Sequence, residues 1–262
     1  MASNLKLFTD NRVNAAGVRN TFNIEELRRT PTIIYVCYPE NKSSYLAPFI
    51  APFFSQAINK LIDEYTVDSI PIHLFFDEFG NIGMLNNMSI NAATMRSRNI
   101  SMNICLQSIT QLYQVYGRDN GKAILNNLKT KIALPGLSDL ETTNYLSNLC
   151  GNKEITICNT NSNKNSTTHS YSKTKIKLFE DSELRCLEDN QLLLITSNKQ
   201  PILTTQNRYY ENNIYTNNIS ETVAYVKKNS ITKFDIQEEI NNLKLKSNLK
   251  EDVEDVKSTL FR

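Results

Sequence analysis

The chain has 262 residues, 40% of them hydrophobic and 21% charged, with 29 Lys and Arg against 27 Asp and Glu for a formal net charge of +2. This is enough polypeptide for one large or two modest domains with a substantial core, and the charge balance excludes a chain-wide polyelectrolyte while leaving room for a local basic patch. No run of about 18 apolar residues exists to span a bilayer, and Met1–Asp10 lacks the sustained apolar core of a signal peptide.

Residues 1–30 are a polar lead-in ending in a short helix start, where Asn23 precedes Ile24-Glu25-Glu26-Leu27. Pro31–Tyr38 is β-branched and aromatic and is stopped by Pro39, which predicts a buried strand. From Ser44 to Tyr65 apolar residues recur at helical spacing (Phe49, Phe53, Phe54, Ile58, Leu61, Ile62), predicting a long amphipathic helix. After the turn-like Asp68-Ser69, Ile70–Phe76 is a second buried-strand pattern. Strand, long crossover and strand make a βαβ unit, which implies a parallel, right-handed connection.

The alternation continues with a helix over Asn86–Arg98 (Ile90, Ala93 and Thr94 on one side) and a strand over Ser101–Gln107. Ser108 is a natural cap for a helix through Tyr116, and Ala123–Leu128 is a further helical piece before a strand at Thr130–Leu134. Ser138-Asp-Leu-Glu141 matches a capping box, opening a helix that stops at Cys150-Gly151. Together these predict an α/β fold: an open, mostly parallel sheet flanked by helices, with a hairpin formed by Gln191–Thr196 and Pro201–Thr205. Within the globular part, residues 31–211, the Asn/Ser/Thr tract 159–172 predicts a mobile loop. The polar tail 212–262 carries Ile236, Ile240 and Leu243, then Leu249, Val253, Val256 and Leu260, at helical spacings with a phase break. One or two docking helices or a solvated tail both fit that pattern.

The chemistry concentrates where the Ile70–Phe76 run ends in two adjacent carboxylates, Asp77 and Glu78, followed by Phe79-Gly-Asn-Ile-Gly83. At the carboxyl end of a parallel strand such a pair is the Walker B arrangement, the first acid holding Mg²⁺ and the second positioning the attacking water. A strand running into an exposed acidic turn has the same short pattern. The five cysteines are scattered without a CxxC pair; two sit inside apolar runs and read as buried thiols rather than disulfides or zinc ligands. His73 and His169 show no ligand spacing.

Five blocks in order carry a resemblance: Leu74–Gly83, Thr94-Met-Arg-Ser-Arg-Asn-Ile100, Cys105-Leu-Gln-Ser108, Leu112-Tyr-Gln-Val-Tyr-Gly117 and Leu125-Asn-Asn-Leu-Lys-Thr-Lys131. From Arg12 to Tyr210 the chain resembles the carboxyl-terminal part of the motor domain of type IV coupling proteins. These are the TraG/TraD-type ATPases of conjugative DNA transfer, in the FtsK/HerA-like group with a RecA-like P-loop core. The resemblance implies ATP and Mg²⁺ as cofactors, Asp77 as the Mg²⁺ ligand (through water) and Glu78 acting on the hydrolytic water. It implies an arginine finger at Arg96, offered to a neighbour's nucleotide, and a polar sensor at Gln107. For Arg96 and Arg98 a plain helix-terminal cation is the alternative, and for Gln107 a strand-end amide. The resemblance further implies a homo-hexamer, single-stranded DNA, relaxase or relaxosome proteins and type IV secretion channel proteins as partners. The complete protein is expected at the cytoplasmic face of the plasma membrane and this chain by itself in the cytoplasm.

One departure matters. The Gly-x-x-x-x-Gly-Lys-Ser/Thr loop that grips phosphates is missing; the nearest run, Gly117-Arg-Asp-Asn-Gly121-Lys122-Ala123, is one residue short and lacks the hydroxyl for Mg²⁺. The chain therefore looks like the Walker B half of a motor, expected to be inactive alone. The competing expectation is a non-catalytic module docking relaxosome or channel proteins, and a third is a double-stranded-DNA mover of chromosome segregation.

Overall fold

The computed structural model describes residues 6–17, 22–163 and 166–219. Among them the chain divides into two compact units, one holding residues up to Ile72, Asn81–Asn86 and the stretch from Tyr209, the other His73–Gly80 and Asn87–Arg208.

The first unit is built on the predicted long helix. It follows a short helix α1 (Asn11–Gly17) and runs as α2 (Ser43–Asp63), burying Ile50, Ala51, Ser55, Ile58 and Leu61. Asn23 caps the 3-10 turn Ile24–Arg28 as expected, its side chain accepting from the Glu25 N–H. Arg28 is only 3% exposed. Its guanidinium donates to the Leu61 carbonyl at 2.6 and 3.1 Å and to the Ile70 carbonyl at 3.2 Å, stapling the end of α2 to the segment entering the next strand. Gly83 has φ +92°, and a Cβ there would stand 3.2 Å from that of Ala47, so glycine lets this loop lie on α2.

The predicted strand Pro31–Tyr38 does not form: residues 31–39 carry no regular structure, with Ile33 76% and Tyr35 82% exposed. Its residues suit a half-buried pleated surface, but a strand needs a ladder partner from elsewhere, and among the described residues none pairs with it. The first predicted βαβ unit is thereby lost.

The second unit contains the parallel element. β1 (Ile72–Phe76) and β2 (Ile100–Ile104) are neighbours joined through α3 (Met88–Met95). The Cys105 N–H donates to the Phe76 carbonyl, and the Cys105 carbonyl accepts from the Phe79 N–H farther along the same strand's exit, so one residue bonds two different residues of its neighbour, as in a parallel pair. On α3 the buried residues are Met88, Asn91 and Met95, whereas Ile90 is exposed. α4 (Ile109–Tyr116) and α5 (Arg118–Asn127) follow.

β3 (Thr130–Ala133), β6 (Gln191–Thr196) and β7 (Ile202–Thr205) form an antiparallel sheet in the order β3-β6-β7, which includes the predicted hairpin. α6 (Leu140–Cys150) and α7 (Asp181–Arg185) supply Leu146, Cys150 and Leu184 to a core shared with Ala133, Leu193 and Ile195. The cap of α6 is Asp139 rather than Ser138. Its carboxylate accepts from the Thr142 N–H at 3.0 Å and hydroxyl at 2.5 Å, and Thr142 in turn accepts from the Ile109 N–H at the start of α4.

The mobile loop expected over 159–172 is replaced by a long hairpin, β4 (Asn152–Asn163) paired antiparallel with β5 (Ser166–Lys177). Low complexity misled because Thr160, Thr167, Thr168 and Tyr171 lie among the Asn and Ser, and β-branched and aromatic residues suit a ribbon. Of the five thiols only Cys150 is buried; Cys37 lies in the segment without regular structure and Cys105 at a strand end, both exposed. Residues 213–219 are helical, and the tail positions Ile236 to Leu260 lie outside the described residues. No described helix is long and apolar enough to cross a membrane.

Candidate functional site

The site starts from β1. Phe76 and Phe79 are both buried, their ring centroids 5.3 Å apart, and Phe79 stacks on Tyr116 of α4 at 5.7 Å and 6°. Two anchored rings with two residues between them leave only Asp77 and Glu78 to form the turn. The Cys105 carbonyl accepts from the Phe79 N–H at 3.1 Å, so the backbone beyond β1 stays tied to the end of β2.

Across that end Gln107 Nε2 donates to Glu78 Oε2 at 3.3 Å, while the Gln107 N–H donates to Gln111 Oε1 at 3.0 Å. Gly80 is tight against Gln111, since a Cβ there would stand 3.3 Å from Gln111 Cβ. The other carboxylate oxygen, Glu78 Oε1, is buried and has no hydrogen-bond partner among the described residues. Such an oxygen costs about 1–3 kcal/mol, which makes it a place to ask what a ligand or water would meet. Asp77 beside it is exposed. The Cys105 thiol, exposed overall, is held above its ordinary range first by the partial desolvation of its sulfur and then by the negative field of Asp77 and Glu78. Two carboxylates therefore gather charge at the carboxyl end of a parallel strand pair.

Of the four residues singled out from sequence, the structure joins Glu78 to Gln107 directly and sets Asp77 next to them through the chain. Arg96 lies elsewhere, exposed on the 3-10 turn Arg96–Arg98 that ends α3, with Asn99 in the left-handed region behind it. Among the described residues no hydrogen bond or ion pair joins Arg96 to the other three. Sequence reasoning missed Gln111 and Cys105; Gln111 was findable as the amide four residues after Gln107, at the start of a helix.

The carboxylate side fits a nucleotide and its metal: an exposed acid, an unpartnered buried carboxylate oxygen, and an amide holding that carboxylate. No cluster of three metal-ligating side chains occurs among the described residues, so Mg²⁺ at Asp77 would complete its shell with phosphate oxygens and water. The phosphate-gripping side finds no support at Gly117–Lys122. Arg118–Asn127 is helix α5, in which Gly121 is buried and a Cβ would meet the Tyr113 ring at 2.6 Å. That glycine serves packing. Gly121→Ala is accordingly expected to destabilise by about 1–3 kcal/mol, against the gain of about 1 kcal/mol that Ala brings to an open helix interior. Urea unfolding measures the sign.

Comparison with known proteins places the chain in a family. The profile of the family described as type IV secretory system conjugative DNA transfer matches residues 1–233. Protein VirD4 of Agrobacterium fabrum is similar at 24% identity over 220 residues, covering 79% of this chain and 31% of VirD4. VirD4 of Rhizobium rhizogenes is similar to the same extent. The chain thus spans 31% of the length of these curated relatives. Among solved structures, the unbound monoclinic form of the bacterial conjugative coupling protein TrwBdeltaN70 superposes with a TM-score of 0.62 at 17% identity, over 71% of this chain and 43% of that one. The plasmid coupling protein TrwB in complex with ADP and Mg²⁺ gives 0.60 at 17% identity, over 72% and 43%. At such identity the likeness shows the fold alone, a mixed α/β fold. With its profile matched from the first residue to residue 233, the chain belongs to the type IV secretory system conjugative DNA transfer family.

Proposed function

We propose that this chain is the Walker B-bearing portion of a coupling ATPase that drives single-stranded DNA from a relaxase complex into a type IV secretion channel. The observation that carries the reading is the Glu78 carboxylate at the carboxyl end of β1, one oxygen held by Gln107 and the other buried without a partner among the described residues. Bound ATP and Mg²⁺ supply the phosphoryl group and the charge that draws water onto it. Asp77 holds the metal side. Glu78 accepts a hydrogen bond from, and orients, the attacking water, while Gln107 fixes the rotamer of Glu78 so that Oε1 faces the reacting side. Arg96, exposed and clear of this cluster, suits a cation offered to the site of a neighbouring subunit in a homo-hexamer; a planar guanidinium there stabilises the charge spread over the transferring group.

A second reading is a docking module for relaxosome or channel proteins. The purified chain is expected to show no ATP turnover above that of its Glu78→Gln variant; a Glu78-dependent rate would mean that phosphates are gripped by residues not identified above. Conjugative transfer from cells carrying Glu78→Gln separates the two readings. Loss of transfer at normal protein levels supports the motor, and undiminished transfer supports the docking module.

A further inference from the structure

The β4–β5 hairpin is assigned no part in the site described above, and its composition stands apart from the rest of the chain. Residues 152–177 hold five lysines and one glutamate, more positive charge than the whole protein carries net. The antiparallel register sorts these residues onto two faces. Glu154 pairs with Lys175, Thr156 with Lys173, Cys158 with Tyr171 and Thr160 with His169 on one face. Lys153 with Ile176, Ile155 with Thr174, and Ile157 with Ser172 fall on the other.

The face holding Ile155 and Ile176 is the half-buried one at the base of the ribbon, while Lys173, Lys175, Thr156, Cys158, Thr160 and His169 are all exposed and Tyr171 is 72% exposed. Along β5 this exposed face reads Lys175, Lys173, Tyr171, His169, one residue every roughly 7 Å at the strand rise. The only acid on it is Glu154, which meets Lys173 at 3.8 Å, a surface contact that takes little from the lysine. Thr160 Oγ1 lies 3.0 Å from His169 Nδ1, which orients the imidazole ring.

We infer that this lysine–tyrosine–histidine face is a contact surface for single-stranded nucleic acid, the lysines following the phosphates and Tyr171 stacking on an unpaired base. Single-strand binders combine positive charge along the backbone with exposed aromatic platforms, which is the combination this face presents. Hydroxyls of Thr156 and Thr160 add neutral donors of the kind that position sugar and phosphate. An exposed ring on a solvated ribbon has no structural use of its own here, since its ladder partner is Cys158 and the flanking positions are charged or polar. A membrane surface is disfavoured because this face carries no aliphatic side chain beside the ring. The inference rests on the proposed DNA-transfer role only for the choice of DNA over RNA.

Fluorescence anisotropy of a labelled oligothymidylate, titrated with the full chain at several salt concentrations, tests it. Tyr171→Ala is expected to weaken binding by roughly ten-fold or more, with Tyr171→Phe retaining it. The Lys173→Ala/Lys175→Ala double variant is expected to reduce the slope of log affinity against log salt by about 1.4, and the corresponding double arginine variant to restore it. These side chains are exposed, so melting curves should match the wild type and folding defects cannot imitate the result. Wild-type affinity and salt slope in both variants overturn the inference, as does preference for duplex over single strand or no binding by the wild type at low salt. None of those outcomes touches Glu78, whose role is judged separately by the transfer assay.

Discussion

Glu78→Gln is expected to lower conjugative DNA transfer by about 10²–10⁴-fold, the contribution of a positioned acid or base to a water-activating step. The change is nearly isosteric, so the turn between Phe76 and Phe79 keeps its shape. What changes is the charge at Oε1, the buried oxygen without a partner, and the ability to accept from water there. The contact at Oε2 is with an amide donor, Gln107 Nε2, which an amide oxygen at position 78 accepts equally well. The loss therefore reports on the charge and not on the fold. Gln107→Ala separates positioning from chemistry: it leaves the carboxylate in place but releases its rotamer, and a smaller fall in transfer is the outcome. Equal transfer by wild type and Glu78→Gln, at equal protein levels, would remove the motor reading.

Phe79→Ala is expected to cost about 3–5 kcal/mol of stability, the range for truncating a large buried ring. Phe79 is 0% exposed, with Phe76 on one side and the Tyr116 ring stacked on the other. Removing it leaves a void that the two rings cannot both fill, and it frees the turn that displays Asp77 and Glu78. Urea unfolding of the full chain gives the number. A double-mutant cycle with Tyr116→Ala is expected to return a coupling of about 0.5–1.5 kcal/mol for the stacked pair. A change under about 1 kcal/mol for Phe79→Ala would mean that the turn is not held by this ring. Because Phe79 sits next to Glu78, a loss of transfer in this variant is read as loss of folded protein and not as a chemical effect.

Much of the site was legible before any coordinates. Adjacent carboxylates after an apolar run, then glycine within two residues, form a local pattern, and local patterns survive tertiary context well. Helix α2, the Asn23 cap and the β6–β7 hairpin were legible for the same reason: each rests on periodicity or turn chemistry within one short window. The failures share a cause. Pro31–Tyr38 has the residues of a strand, but strand formation depends on a partner distant in sequence, and its side chains stand in solvent. The 159–172 tract looked featureless by composition, yet its described residues pair one with another along an antiparallel ladder.

The sequence by itself determined which groups are available: Asp77 and Glu78 at a strand end, Arg96 at a helix end, Gln107 past the next strand, and no phosphate-gripping loop. These are properties of spacing and residue type, which a linear chain carries explicitly. Only the tertiary structure decided which of those groups meet. Parallel pairing of β1 with β2 set Gln107 against Glu78 and buried one carboxylate oxygen, it left Arg96 apart, and a separate antiparallel ladder gathered lysines and a tyrosine onto one face. Contacts between residues some thirty positions apart depend on strand register and packing, and neither is written in any single window of the chain.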